Sequence, residues 1–248
     1  VAKQNGLGDG FIIGGYYIPN DISAVNRISG GPALGENTGI DKSATERWAL
    51  NRDGGIDFTA YFNDATDRAH AILKTLPRTD TLVTYLRSTI LGAPSAVCNA
   101  LQNNYDGNRG ADGSLPFSVV SNANQYGLEW GIQITAGQRT DTTATNGASV
   151  DGLASSAFGA QAYLQYQSVI GTSVTVTVQD SADNVSFAAI TGLAFTAVAG
   201  AAAPGFQRLA TANNATIRRY VRVATTGTFS SAVFQVTMNR NESVGVAF

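Results

Sequence analysis

The sequence predicts a mainly β protein with one short helix, on three observations. Short runs rich in β-branched and aromatic residues recur along the whole chain, each bounded by Gly, Asn or Asp. In TSVTVTVQ, Val174, Val176 and Val178 alternate with Ser173, Thr175 and Thr177, the pattern of a strand with one buried and one wet face. Helical spacing of apolar residues occurs in one segment, where Ala69, Ile72, Leu73 and Leu76 fall at i, i+3, i+4 and i+7.

In the first half, strands are expected at 11–17 (FIIGGYY), 56–62 (IDFTAYF), 81–86 (TLVTYL), 115–120 (LPFSVV) and 128–134 (LEWGIQI). Asp112-Gly113 is a hairpin signal, because glycine supplies positive φ freely. The helix is expected over 64–76, capped by Asn63 or Asp64 and stopped by Pro77. Residues 29–55 read as a long polar insertion, and loops of that length usually contact something. Residues 1–10, with Gly6-Leu7-Gly8-Asp9-Gly10, read as a flexible arm. A phosphate cradle would need a strand before the glycines and a helix after them.

The second half is more plainly β. Further strands are expected in AQAYLQY, VSFAAI, FQRLA, RRYVRVAT and SSAVFQVTM. About seven short strands with no helical pattern point to a β-sandwich. Between Gly137 and Ser156 the chain is small and polar without apolar periodicity, which reads as a linker. A boundary near residue 148 then gives two domains, 1–148 and 149–248.

Composition excludes several chemistries. One His and one Cys rule out an internal disulfide, thiolate clusters and multi-histidine metal cages, so no cofactor or metal is expected. Apolar residues make up 44%, enough for a core, whereas charged residues, at 14%, fall well below the usual quarter. The net charge of −2 gives no basic footprint for nucleic acid or an anionic membrane. No stretch approaches the ~18–20 apolar residues of a membrane-spanning helix. Residues 1–145 carry 11 Lys+Arg against 14 Asp+Glu, and residues 146–248 carry 5 Arg against 4 acids.

Single residues read as structural. His70 lies beside the apolar stripe of the helix with no G-x-S-x-G elbow in the chain, and Cys98 sits among apolar residues with nothing nearby to lower its pKa. Asp180-Ser181-Ala182-Asp183-Asn184 has calcium-loop spacing in part, but Ala182 takes a ligand position and no bidentate Glu follows, so a turn is expected. Among Asp53, Asp57, Asp64 and Asp67 no glycosidase pair stands out, and no catalytic residue is assigned. Arg218, Arg219 and Arg222 share one strand. An arginine beside Tyr220 suits a sugar or an acidic partner, the solvated strand face is the stronger reading, and Arg219 then needs an acidic partner at the sheet edge.

The ordered run of IDFTAYFN, DRAHAILKTLP, TLVTYLR, NNYD–GADGSLPFSV and GLEWGIQ resembles the major tail tube proteins of long-tailed bacteriophages, those of actinobacteriophages in particular. DISAVNRISGG, followed by the polar loop and Arg52-Asp53-Gly54, resembles the start of the same family. The resemblance covers about residues 10–135. Residues 154–248 resemble the extra sandwich domain that some of these proteins carry, and VTVQDSADNVSF resembles a turn of sugar-binding sandwiches, with Asn184 where Gly is expected.

What the resemblance implies is a non-enzymatic virion protein of the phage tail. It would form stacked, hexameric rings, contact other tail proteins, and conduct double-stranded DNA without binding it. No membrane partner is implied. An acidic lumen would repel phosphates, with Asp57, Asp80 and Glu129 as lumen-facing candidates. The loop 29–55 would join rings through Glu36, Asp41, Lys42, Glu46, Arg47 and Trp48. A capsid decoration or minor virion protein shares this composition, and a secreted carbohydrate-binding module would account for the second half alone.

Overall fold

The computed structural model describes residues 5–242. In chain order its strands are β1 (Gly10–Ile13), β2 (Tyr16–Tyr17), β3 (Ile22–Glu36), β4 (Arg47–Tyr61), β5 (Thr81–Leu86), β6 (Pro94–Gln102), β7 (Asp106–Gly107), β8 (Pro116–Val119) and β9 (Ser121–Ala123). They continue as β10 (Glu129–Gln133), β11 (Arg139–Asp141), β12 (Val150–Asp151), β13 (Ala160–Ser181), β14 (Ala188–Ala194), β15 (Val198–Ala199), β16 (Gly205–Ala210) and β17 (Tyr220–Arg240). The one α-helix among the described residues, α1 (Ala69–Leu73), lies between β4 and β5. The protein is therefore nearly all β, with antiparallel pairing, as the sequence predicts.

Contacts divide the described chain into two compact units. One holds residues up to Asn20, Leu82–Val97 and residues from Trp130 onward; the other holds Asp21–Thr81 and Cys98–Glu129. The expected boundary near 148 falls inside the first of these. The expected linker there is bonded into the sheet: β11 pairs with β17 at Arg139↔Phe234, β12 pairs with it at Val150↔Val221, and Gly147 N–H donates to Val223 O at 2.8 Å.

The first unit is built on β13 and β17, which pair from Ala160↔Arg240 to Ser181↔Tyr220. Four separately expected strands are thus two long ones. Register shifts near Gln167 and Gly171 bend them, because an extra residue breaks the ladder and raises the local twist. The curled sheet packs on a core that joins Leu164, Val174, Val176, Val178, Phe195, Val221, Val223, Phe234 and Val236. β16, β15 and β14 pair along one edge of β13, and β10, β11 and β12 along the far edge of β17. In the same unit, expected strand 11–17 is a tight hairpin, β1 and β2. Gly14 and Gly15 have φ of 58° and 93°, and a turn with positive φ at both centres suits paired strands.

The second unit centres on the antiparallel β3–β4 pair, with β8 and β9 on the far edge of β4. It buries Ile56, Phe58 and Ala60 of β4, Leu73 of α1, and Val119. The Asp112-Gly113 turn lies where expected, between β7 and β8, with Gly113 at φ 88°. The helix is much shorter than the expected 64–76. Asp67 (φ 61°) and Leu76 (φ 41°) adopt left-handed conformations that a helix cannot continue through. Asn63 and Asp64 do not cap it. Asp21 does so from outside, accepting Ala69 N–H (3.1 Å) and Asn63 Nδ2 (2.9 Å).

Candidate functional site

The residues expected to form a polar loop, 29–55, are instead the outer half of a long β-ribbon with a ten-residue tip. β3 and β4 stay paired from Ile28↔Ile56 through Gly30↔Gly54 to Leu34↔Ala49 and Glu36↔Arg47, with one register shift between Pro32 and Leu34. β9 meets β4 at Gly55, and β8 meets it from Phe58 to Tyr61. Toward the tip, residues 31–36 of β3 pair with residues 47–53 of β4, beyond the stretches of β4 that β8 and β9 meet. Burial changes at the same place: residues 47–53 are all exposed, and Gly54, Gly55 and Ile56 are all buried. An isolated two-stranded ribbon is marginal in water, and both its edges carry unpaired main-chain groups.

The ribbon is not polar throughout. Leu34 (63% exposed), Trp48 (45%), Leu50 (49%) and Ile40, at the tip, present apolar side chains to solvent. Trp48 lies across the strand pair over Gly35, its register partner. The other expected ring-joining residues cluster at the tip. Glu36 accepts from Thr38 Oγ1 (3.2 Å), Thr38 Oγ1 accepts Glu46 N–H (3.0 Å), and Lys42 Nζ stands 3.6 Å from Glu46 and 3.9 Å from Asp41. Exposed pairs of this kind add little stability. Arg47 closes the ribbon opposite Glu36.

The lumen-facing candidates are not alike. Asp57 is paired within the second unit: Arg27 Nε stands 2.7 Å from Oδ2, and Oδ1 accepts Ser121 N–H at 3.2 Å. Its charge is therefore balanced by Arg27 and adds no net negative charge to a lumen. Asp80 accepts amide hydrogens from Asn99 (2.8 Å) and Asn124 (2.6 Å), which leaves its charge uncompensated by those partners. Glu129 is 2% exposed and has no surface to offer a lumen. Across Asp21–Thr81 and Cys98–Glu129 there are 8 Lys+Arg and 12 Asp+Glu, a balance of −4.

Other singled-out residues are packed or bonded. His70 lies in an aromatic cluster with Phe62 (centroids 4.3 Å apart), Tyr105 and Phe117, its Nδ1 3.2 Å from the Tyr105 hydroxyl. Cys98 is fully buried, and burial above all, with the charge of Asp53 next, pushes its thiol up to about 12. Asp183 forms the expected turn. It accepts from Val185 N–H, Ser186 N–H and Ser181 Oγ, and these bonds, that from Ser186 N–H first, hold its carboxyl well below the usual range. Asn184, where a glycine was expected, has φ 62° and takes up the left-handed conformation itself. Arg219 finds the acidic edge partner that the sequence demanded, in a bidentate pair with Asp151 (2.7 Å and 2.7 Å).

The arm expected at 1–10 is tied down in its described part. Asp9 accepts from the Tyr85 hydroxyl, Arg87 and Ser88 N–H; residues 1–4 lie outside the described residues. Sequence reasoning missed this latch, because its partners lie more than seventy residues apart. Among the described residues, no helix is long and apolar enough to cross a membrane.

No family model matches the chain, and no curated protein matches it. Among solved structures, it is similar to a chain of the phage p2 baseplate in its activated conformation with strontium, at 9% identity and a TM-score of 0.29. The phage P2 baseplate in its activated conformation with calcium gives 9% identity and a TM-score of 0.31. Each comparison covers 95% of this chain and 99% of the other.

Proposed function

We propose that this chain is a non-enzymatic structural protein of a phage virion that assembles with copies of itself through the β3–β4 ribbon. The observation that carries the reading is the ribbon's outer half: two strands with open edges, exposed throughout on β4, bearing Leu34, Trp48 and Leu50. A surface that presents both unpaired main-chain groups and large apolar side chains is completed by another strand or sheet. A head-to-tail contact made this way generates closed rings or open filaments. The packed His70 and buried Cys98 support the absence of chemistry, since neither is placed to activate a nucleophile.

The finer form of the proposal is a tail tube: hexameric rings stacked into a conduit for DNA. The acidic balance of the second unit favours it, since an acidic lining denies DNA the counterion-release affinity that cations would create. Asp80 remains its lumen candidate.

Negative-stain microscopy of the purified chain tests both levels. In a companion variant, residues 35–48 are replaced by Asn-Gly, so that a two-residue turn closes the ribbon at Leu34↔Ala49. Rings or tubes from the native chain, and folded monomers from the variant, are expected. Native monomers, or a variant that assembles equally well, would overturn the ribbon's role.

A further inference from the structure

The first unit carries a second surface that the assembly reading does not use. On β17, Val221 and Val223 are fully buried, so Tyr220 and Arg222 stand on the opposite, outward face. Arg222 pairs in register with Gln179, and Tyr220 with Ser181. The Arg222 guanidinium carbon lies 4.0 Å from the centroid of the Phe187 ring, and its Nε donates to Gln179 Oε1 at 2.8 Å. The ring contact and the hydrogen bond together restrain the guanidinium. Its two terminal nitrogens make no hydrogen bond among the described residues.

Its neighbours differ. Arg218 is bound to Asp180, Arg219 to Asp151, and Arg240 to the carbonyls of Ala154, Arg218 and Arg219. Each of those three closes a structural contact, while Arg222 is oriented without an acidic partner. Nearby in the ladder lie neutral groups, and two further acids of that region are already engaged, Asp151 by Arg219 and Asp183 by its own turn. Ser149 precedes the β12 residue that faces Val221, and its Oγ is 2.6 Å from Asn184 Oδ1. Asn184 is held at that position by the Asp183 turn.

The geometry points to a binding site for a carboxylate-bearing sugar on this face, with Arg222 taking the carboxylate. A planar guanidinium with its outer edge free matches a carboxylate in two parallel hydrogen bonds, and prior restraint removes much of the ordering cost. One uncommitted cation accepts one charge, which fits an acidic sugar unit and disfavours a polyphosphate or nucleic acid, whose affinity requires several. The hydroxyl and amide groups of Ser149, Gln179, Asn184 and Tyr220 provide neutral donors and acceptors of the kind sugar hydroxyls use.

Binding of the full chain to oligogalacturonate, to 3′-sialyllactose and to methyl-esterified oligogalacturonate tests this by calorimetry, with poly-glutamate as a peptide control. At least one acidic saccharide is expected to bind. Arg222→Ala is expected to weaken that binding about tenfold or more, since charge-assisted bonds are lost. Arg222→Lys, which keeps the charge without the planar fork, falls between. Circular dichroism melts confirm that both variants are folded. Binding by neither acidic saccharide, no loss on esterification, equal binding by a folded Arg222→Ala protein, or tighter binding of poly-glutamate would each overturn the assignment.

Discussion

Gly35 lies beneath the indole of Trp48, so close that a Cβ built at residue 35 would stand 2.6 Å from Trp48 Nε1. The pair sits near the free end of the ribbon, where Trp48 is 45% exposed. Gly35→Val therefore displaces the indole without disturbing a core. The expected outcome is a stability change within about 0.5 kcal/mol, a red-shifted tryptophan component and impaired assembly. Fluorescence and negative-stain images of the same sample check it.

Asp57 and Arg27 form a cross-strand pair between β4 and β3, reinforced by Ser121 N–H. Asp57→Asn leaves a guanidinium facing a neutral amide. The pair is partly solvent-screened, the Arg27 side chain being 40% exposed, so a loss of about 1 kcal/mol is expected. Urea melts of the two single variants and of the Asp57→Asn/Arg27→Met double variant check it, with the double variant losing less than the sum.

Acid should weaken the first unit in a defined window. The Arg219 hydrogen bond holds the Asp151 carboxyl at about 2, and the bonds within its turn hold Asp183 lower still. A carboxyl depressed by folding contributes stability that is present above the unfolded value of about 3.9 and lost as pH falls through the folded value. Melting temperature should therefore fall between about pH 4 and pH 2. Asp151→Asn and Asp183→Asn should each flatten that fall.

Truncation after residue 150 removes β13 and β17. β10 then loses its partners at Ile132↔Met238 and Gln133↔Thr237, and β11 loses Arg139↔Phe234. The fragment is expected to expose apolar strand edges and to aggregate or bind a hydrophobic dye. A monomeric fragment with a cooperative melt would show that 1–148 folds without these strands.

Cys98 is fully buried, with its thiol pushed up to about 12. At pH 8 the native protein should leave a thiol reagent almost untouched, because the thiolate is the reacting species. One equivalent should react once denaturant exposes the chain. Titration with and without guanidinium measures this.

Much of the fold could be read locally. The alternation in TSVTVTVQ gave a strand whose valines are all buried, TLVTYL is β5 to the residue, and Arg219 was seen to need an acid at the sheet edge. The ribbon was legible only as a long segment that ought to contact something. Its residues are glycine-rich and polar because no core covers them, and that is also how a loop reads. β6 was missed as a strand because Cys98 was weighed as a single residue. The Arg222 surface showed only as an arginine near Tyr220, since Gln179 reaches it from β13 and Phe187 from the segment just before β14.

The sequence by itself determined the β class, the short helix, the turns at Gly113 and Asp183, and the burial of Cys98 and the valine faces. All of these follow from backbone preference and side-chain period within a few residues. Tertiary structure decided which strands are continuous, because Gly171 and Gly227, with φ of 132° and 122°, lie within long paired strands where a local reading sees turns. It also decided the fate of each acid: Asp57 paired, Asp80 held by amides, Glu129 buried. A strand's partner is chosen by residues tens of positions away, and a slip of one residue would exchange its faces. No window of sequence contains that choice.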